Sequence, residues 1–304
     1  MPVTRPLAAP RRMAIVTAWA TWVLLLIGGL VHNTRSSLAC PDWPLCFGQV
    51  MPKMVGGVAY EHSHRLAGTM VGLLTIALAA LMWRRGRPWR GRGLIAVGLV
   101  VFQGVLGGIT VLFRLPPLVS TTHLGTSLIF FAYLIWLAFR MGEGEPVALA
   151  APLRRWIGVA LALVYVQSLA GALMRHLGAG LACVDLPLCR GSLWPIDAHP
   201  AVQLHALHRW LAIVVGAVVI VVAVRVGRAA GCARLRAVAA GLVCVVLAQI
   251  TLGVASVMTF LDALPVTAHL GGAALLLAGL VSMGLSTRSA EDVVRVAPGD
   301  GVPA

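Results

Sequence analysis

Apolar residues run through this chain in stretches of about twenty, separated by short polar segments. A helix of about 20 residues crosses the roughly 30 Å hydrocarbon core of a bilayer. Eight such stretches are read, at 13–31, 63–83, 94–112, 119–139, 156–174, 204–225, 237–258 and 265–285. They predict an all-α polytopic membrane protein with eight transmembrane helices. Composition agrees: 59% of residues are hydrophobic and 11% charged, against roughly 25% charged in a soluble domain.

The net charge of +14 does not point to nucleic acid, because the cations cluster in alternate loops. Arg5, Arg11 and Arg12 precede the first stretch, and Arg84, Arg85, Arg87, Arg90 and Arg92 follow the second. Arg140, Arg154 and Arg155 follow the fourth, Arg225, Arg228, Arg234 and Arg236 the sixth, and Arg288 and Arg295 the eighth. The opposite loops hold only Arg35, Lys53, Arg114, Arg175 and Arg190. The positive-inside rule therefore predicts a multi-pass protein of the cell membrane with both termini cytoplasmic.

A repeat lies over this pattern. Leu38-Ala39-Cys40-x-Asp42-x-Pro44-Leu45-Cys46 returns 143 residues later as Leu181-Ala182-Cys183-x-Asp185-x-Pro187-Leu188-Cys189. Each copy precedes a His-Arg pair (His64-Arg65, His208-Arg209), a Gln-x-x-x-Gly segment (Gln103, Gln249) and a His-Leu-Gly triplet (His123, His269). Two four-helix bundles follow, 1–145 and 151–290, joined by the polar segment Met141–Pro146, with a disordered tail at 291–304. Four spans per half insert both copies the same way up, related by an axis along the membrane normal. A signal peptide at the first stretch, with lipoprotein processing at Cys40, is disfavoured because the same Leu-Ala-Cys recurs where no processing occurs.

The topology sets His64, His123, His208 and His269 at a similar depth, near the outer face, two per half. Two imidazoles facing each other across a four-helix bundle suit a haem iron. Zinc takes more ligands, and copper favours thiolate or thioether. Four histidines placed by a repeat, where ionisable groups are expensive, favour this over four satisfied polar residues. Glu61 shares a helix face with His64 at i,i+3, while His62 points the other way. A carboxyl there suits moving protons or simply starts a helix. In the second half His205 takes its place, so one half reads as catalytic and the other as supportive.

The remaining features have two readings each. Arg65 and Arg209 pair with propionates or snorkel to lipid phosphate. Gln103 and Gln249 hydrogen-bond a bound group or a neighbouring helix. Gly104, Gly107 and Gly108, with Gly253, serve helix packing or make room for a flat macrocycle. The Cys40–Cys46 and Cys183–Cys189 pairs form structural disulfides or a redox pair, although five intervening residues do not suit Cys-x-x-Cys chemistry. Cys232 and Cys244 are expected to be free. His32, His176 and His199 are read as ordinary loop residues without repeat partners.

Together, Glu61-x-x-His64-Arg65, Gly28-Gly29, Cys40-Pro-Asp-Trp-Pro-Leu-Cys46 and the His123 and His269 motifs resemble the haem A synthase family over about 13–285. The resemblance implies two pseudo-symmetric four-helix bundles. The N-terminal one would take the substrate haem O on His64 and His123, with Glu61 essential. The C-terminal one would hold a haem b cofactor between His208 and His269. It also implies disulfides at both cysteine pairs, and oxidation of a porphyrin methyl to a formyl group. A di-haem electron carrier or haem-handling protein without chemistry of its own is the alternative, and it has no need of Glu61. A proton-coupled transporter would need charged residues near the midplane, and none are found. Beyond haem O and membrane lipid, the partners considered are haem O synthase (the preceding farnesyltransferase), terminal oxidase assembly factors and a second copy of the chain; nucleic acid is not expected.

Overall fold

A computed structural model describes residues 7–142 and 144–290; the tail expected at 291–304 lies outside the described residues. Eight helices carry the fold: α1 (Ala8–Asn33), α2 (Gly57–Trp83), α3 (Arg87–Leu112), α4 (Pro117–Arg140), α5 (Ala151–His176), α6 (Pro200–Ala229), α7 (Ala233–Met258) and α8 (Ala263–Leu285). All eight are long and apolar enough to cross a membrane. The chain is a multi-pass all-α membrane protein.

Most helices extend several residues past the apolar stretches that reveal them. The arginine-bearing turns at the starts of α3, α5 and α7 remain helical, with Pro88 and Pro152 preset for the first turn. Inside the helices, Thr17, Thr21 and Thr75 return their hydroxyls to the carbonyl four residues back, at 2.7–2.8 Å. Such internal bonding is what polar groups in lipid require. Leu73, Ile76, Val101 and Ile213 face outward, each more than half exposed, as a lipid-facing surface does.

Helices α1 to α4 close a ring through α1–α2, α2–α3, α3–α4 and α1–α4 contacts, and α5 to α8 close a second in the same order. The rings meet through α1–α8, α4–α5 and α4–α8, and the repeat governs the seam. Gly125 on α4 lies against Leu169 and Tyr165 of α5, while Gly271 on α8 lies against Leu26 and Trp22 of α1. These sets are related by the same offsets as the motifs. The Trp22 indole N–H also donates to the Gly271 carbonyl at 3.1 Å.

Packing is uneven along the helices. Leu78, Met82, Leu134, Leu137, Val219, Val226, Leu280 and Met283 are fully buried, and all lie toward the arginine-rich end. Toward the disulfide end the interior is lined by histidine, glutamine and glycine. One feature was not anticipated: β1 (Val147–Leu149) and β2 (Thr287–Ser289) pair in parallel, Val147 opposite Thr287 and Leu149 opposite Ser289. Since α4 and α8 run the same way, the segments that leave them emerge side by side and parallel.

Candidate functional site

The two cysteine phrases fold into the same module. Cys40 is bonded to Cys46, with S–S 1.99 Å, and Cys183 to Cys189; Cys232 and Cys244 are free. The Asp42 carboxylate accepts from the backbone N–H groups of Phe47 and Gly48, both at 2.7 Å. Asp185 does the same with Arg190 and Gly191, both at 2.8 Å. These bonds, from Gly48 first in one loop and Gly191 first in the other, hold both carboxyls below the usual carboxylate range. The repeated Asp thus serves the loop's own turn.

Arg65 and Arg209 fasten these loops to the helices. Arg65 donates to the Asp42 carbonyl at 2.7 Å, to the Cys40 carbonyl at 3.3 Å and to the Leu45 carbonyl. Arg209 donates to Asp185 and Leu188 at 2.7 Å and to Cys183 at 2.5 Å. The Arg209 guanidinium is spent on backbone carbonyls of the disulfide loop, and that of Arg65 on such carbonyls and on Glu61.

The halves differ beneath the loop. Glu61, 3% exposed, accepts from the Cys40 backbone N–H at 2.8 Å and pairs with Arg65 at 2.6 Å. In the second half His205 receives the Cys183 N–H at 3.4 Å and sits 3.0 Å from the Ala179 carbonyl. A carboxylate clamped by Arg65 in one half is replaced by an imidazole at the same place in the other. His62 turns to the Val50 carbonyl, 2.9 Å away. Its ring lies with the Cys40 and Cys46 sulfurs inside a 4.8 Å cluster, but those sulfurs are spent on each other.

Each of the four repeat histidines rests on a glycine of the preceding helix. A Cβ built on Gly28 would stand 2.9 Å from His64 Cε1, and one on Gly171 2.8 Å from His208 Cε1. The corresponding distances are 3.6 Å from Gly107 to His123 and 3.5 Å from Gly253 to His269. Bare backbone makes room for the imidazole itself, a use of glycine that neither sequence reading of the small residues included. Gly108 instead seats the Trp43 ring of the disulfide loop, 2.9 Å from a built Cβ, while a Cβ built on Gly104 would meet no neighbouring helix or side chain within 4 Å. Gly171 escaped notice, although it stands 143 residues after Gly28.

Within each bundle the two histidines are near enough to interact electrostatically, His64 with His123 and His208 with His269. One terminal atom of the Gln103 amide lies 3.1 Å from His123 Nδ1 and 2.6 Å from Ser127 Oγ. Gln249 lies against Gly272 of α8, and its amide nitrogen is buried without a partner. Gln167, which the sequence did not single out, places its amide nitrogen 3.1 Å from His208 Nδ1 and donates to the His208 carbonyl at 2.9 Å. The equivalent residue in the first half is Leu24, and His64 Nδ1 is buried without a partner, as is His269 Nδ1. Partly buried imidazoles, paired, set on cleared backbone and with one unpartnered Nδ1 in each pair, fit iron ligation.

His32 and His176 correct the sequence reading. They are not unmatched loop residues but the ends of α1 and α5, 144 apart in sequence, with ring centroids 4.7 Å apart at 70°. His199 caps α6, its ring accepting from the Ala201 N–H at 3.2 Å.

A family model described as cytochrome oxidase assembly protein (COX15-CtaA) matches residues 57–281, from the start of α2 into α8. The chain is also similar to the Heme A synthase of Shouchella clausii, 32% identical over 82% of this chain and 87% of that protein. It is similar to the Heme A synthase of Rhodospirillum centenum, 28% identical over 91% of this chain and 88% of that one.

Proposed function

The chain belongs to the cytochrome oxidase assembly protein family, and on that premise we propose that it is a haem A synthase, converting haem O to haem A for terminal oxidases. The observation that carries this is the asymmetry beneath the disulfide loops. Glu61 stands beside one histidine pair only. A di-haem carrier without chemistry of its own has no use for a buried, clamped carboxylate in one of two otherwise matched sites.

In this reading His64 and His123 hold the substrate haem O, and His208 and His269 hold a haem b cofactor, which supplies electron transfer when bound. The reaction is a four-electron oxidation of one porphyrin methyl to a formyl group, by two hydroxylations of the same carbon and loss of water, with the electrons passing to an external acceptor. Glu61 takes up or returns protons at its Oε atoms. Arg65 and the Cys40 N–H hold that carboxylate in one orientation, and the disulfide loop, with Trp43 on Gly108, covers the mouth of the bundle. Gln167 fixes the ring orientation of His208, as outer-shell hydrogen bonds do for metal ligands. The arginine-rich end faces the cytoplasm with both termini, and the disulfide end faces the oxidising side, where disulfides persist.

Pyridine haemochrome analysis of the purified protein tests this. The wild type is expected to contain haem B together with haem O or A, and Glu61→Gln to contain no haem A. His208→Ala is expected to lose haem B, and His64→Ala to keep it. A wild type free of haem would end the proposal.

A further inference from the structure

Where the two bundles meet at the disulfide end, a cavity of about 330 Å³ opens between them, lined by His32, Arg35, Arg175, Leu115 and Leu261 among others. It lies on the pseudo-twofold axis. Leu38 and Leu181, both lining it, are repeat partners at 143 residues, and Leu115 and Leu261 at 146. The edge-to-face pair His32 and His176 belongs to the same place.

The polar lining is cationic. Arg35 and Arg175 are near enough to repel one another, and among the described residues none lining the cavity is acidic. Arg175 Nε and His32 Nε2 are buried without hydrogen-bond partners, an expensive condition that an anionic ligand relieves. Four lining residues that are not glycine hold left-handed backbone: Arg35 (φ 58°), Leu115 (63°), Phe260 (52°) and Leu261 (66°). Such conformations persist only where surrounding structure enforces them, and they gather at ligand clamps.

The cavity's depth identifies the ligand. On α1, Gly28 lies under His64 and four residues before His32; on α5, Gly171 lies under His208 and five residues before His176. Both histidine sites therefore sit about one helical turn, roughly 5.4 Å, inward of the cavity and on either side of it. We propose that this axial cavity is a carboxylate site shared by both bundles, in which Arg35, Arg175 and His32 receive the ionised side-chain carboxylates of bound tetrapyrroles. The proposal rests on the reading that haem occupies the histidine pairs.

The test is a spectrophotometric titration of the purified protein with haem b and with haem b dimethyl ester, whose carboxylates are masked. The wild type is expected to prefer the free acid by about tenfold or more, the usual worth of a charge-assisted hydrogen bond. In Arg35→Gln/Arg175→Gln the preference should fall to within about twofold, with ester affinity unchanged. Arg35→Gln alone, altering an exposed side chain, should reduce it partially and serves if the double variant does not fold. Equal binding of acid and ester by the wild type overturns the proposal, as does a variant that loses both equally. Thermal melts in phosphatidylglycerol and phosphatidylcholine vesicles add a second arm. If the arginine variants lose only a stabilisation by the anionic lipid and keep the acid preference, the cavity holds lipid phosphate and the proposal fails. A wild type that binds neither haem form overturns the functional reading itself.

Discussion

Alanine at Gly171 should unseat a histidine, and alanine at Gly253 should not. The added Cβ would stand 2.8 Å from His208 Cε1 in the first case and 3.5 Å from His269 Cε1 in the second. Carbon contacts are optimal at about 3.5–4.0 Å. Gly171→Ala therefore demands about 0.7–1.2 Å of relative movement, and Gly253→Ala almost none. His208 has little freedom to recoil, because Gln167 holds both its ring and its carbonyl. Overpacking costs about 1–3 kcal/mol, and removing a helix glycine returns about 1 kcal/mol, so the net loss of stability is at most about 2 kcal/mol. Ligation should suffer more than folding. The assay is haem b content together with carbon monoxide binding to the reduced protein, which a six-coordinate bis-histidine iron resists. Gly171→Ala is expected to bind carbon monoxide or to retain less than about a tenth of its haem b, with Gly253→Ala within about twofold of wild type. Gly28→Ala, at 2.9 Å, and Gly107→Ala, at 3.6 Å, repeat the contrast in the first bundle. Equal behaviour of Gly171→Ala and Gly253→Ala would refute the argument.

Arg65→Gln removes the ion pair to Glu61 and three carbonyl contacts; haemochrome analysis should show haem A down by at least about tenfold with haem B retained. Arg209→Gln, by the same assay, should deplete haem B instead. Gln167→Leu should speed haem b transfer to excess apomyoglobin by about 10–100-fold, the usual effect of losing an outer-shell partner. Glu145→Ala should shift the melting curve negligibly, within about 0.5 kcal/mol, because its 3.8 Å pair with Arg288 leaves Glu145 87% exposed.

The spans were legible because a bilayer imposes one length and one polarity on everything that crosses it. What escaped the sequence lies at helix ends and across helices. His32 and His176 sit beyond the apolar windows, so they read as loop residues, although the constant offset of the repeat would have paired them. Arg65 and Arg209 look like interfacial anchors because their partners are backbone carbonyls 20 to 26 residues away, and carbonyls leave no mark on a sequence. Gly171 and Gln167 are unremarkable letters in an apolar run. Only the neighbouring helix shows that one clears space for His208 and the other holds it. The β1–β2 pairing arises from two three-residue segments with no strand period to detect.

That small ladder has a consequence in time. Its strands are 140 residues apart, from Val147 to Thr287, and synthesis proceeds at about 5–20 residues per second. After β1 is made, about 7–28 s pass before β2 exists. The first bundle must therefore insert and hold its shape without this contact. The ladder closes only when the second bundle is complete, so it reports that the whole chain has been delivered.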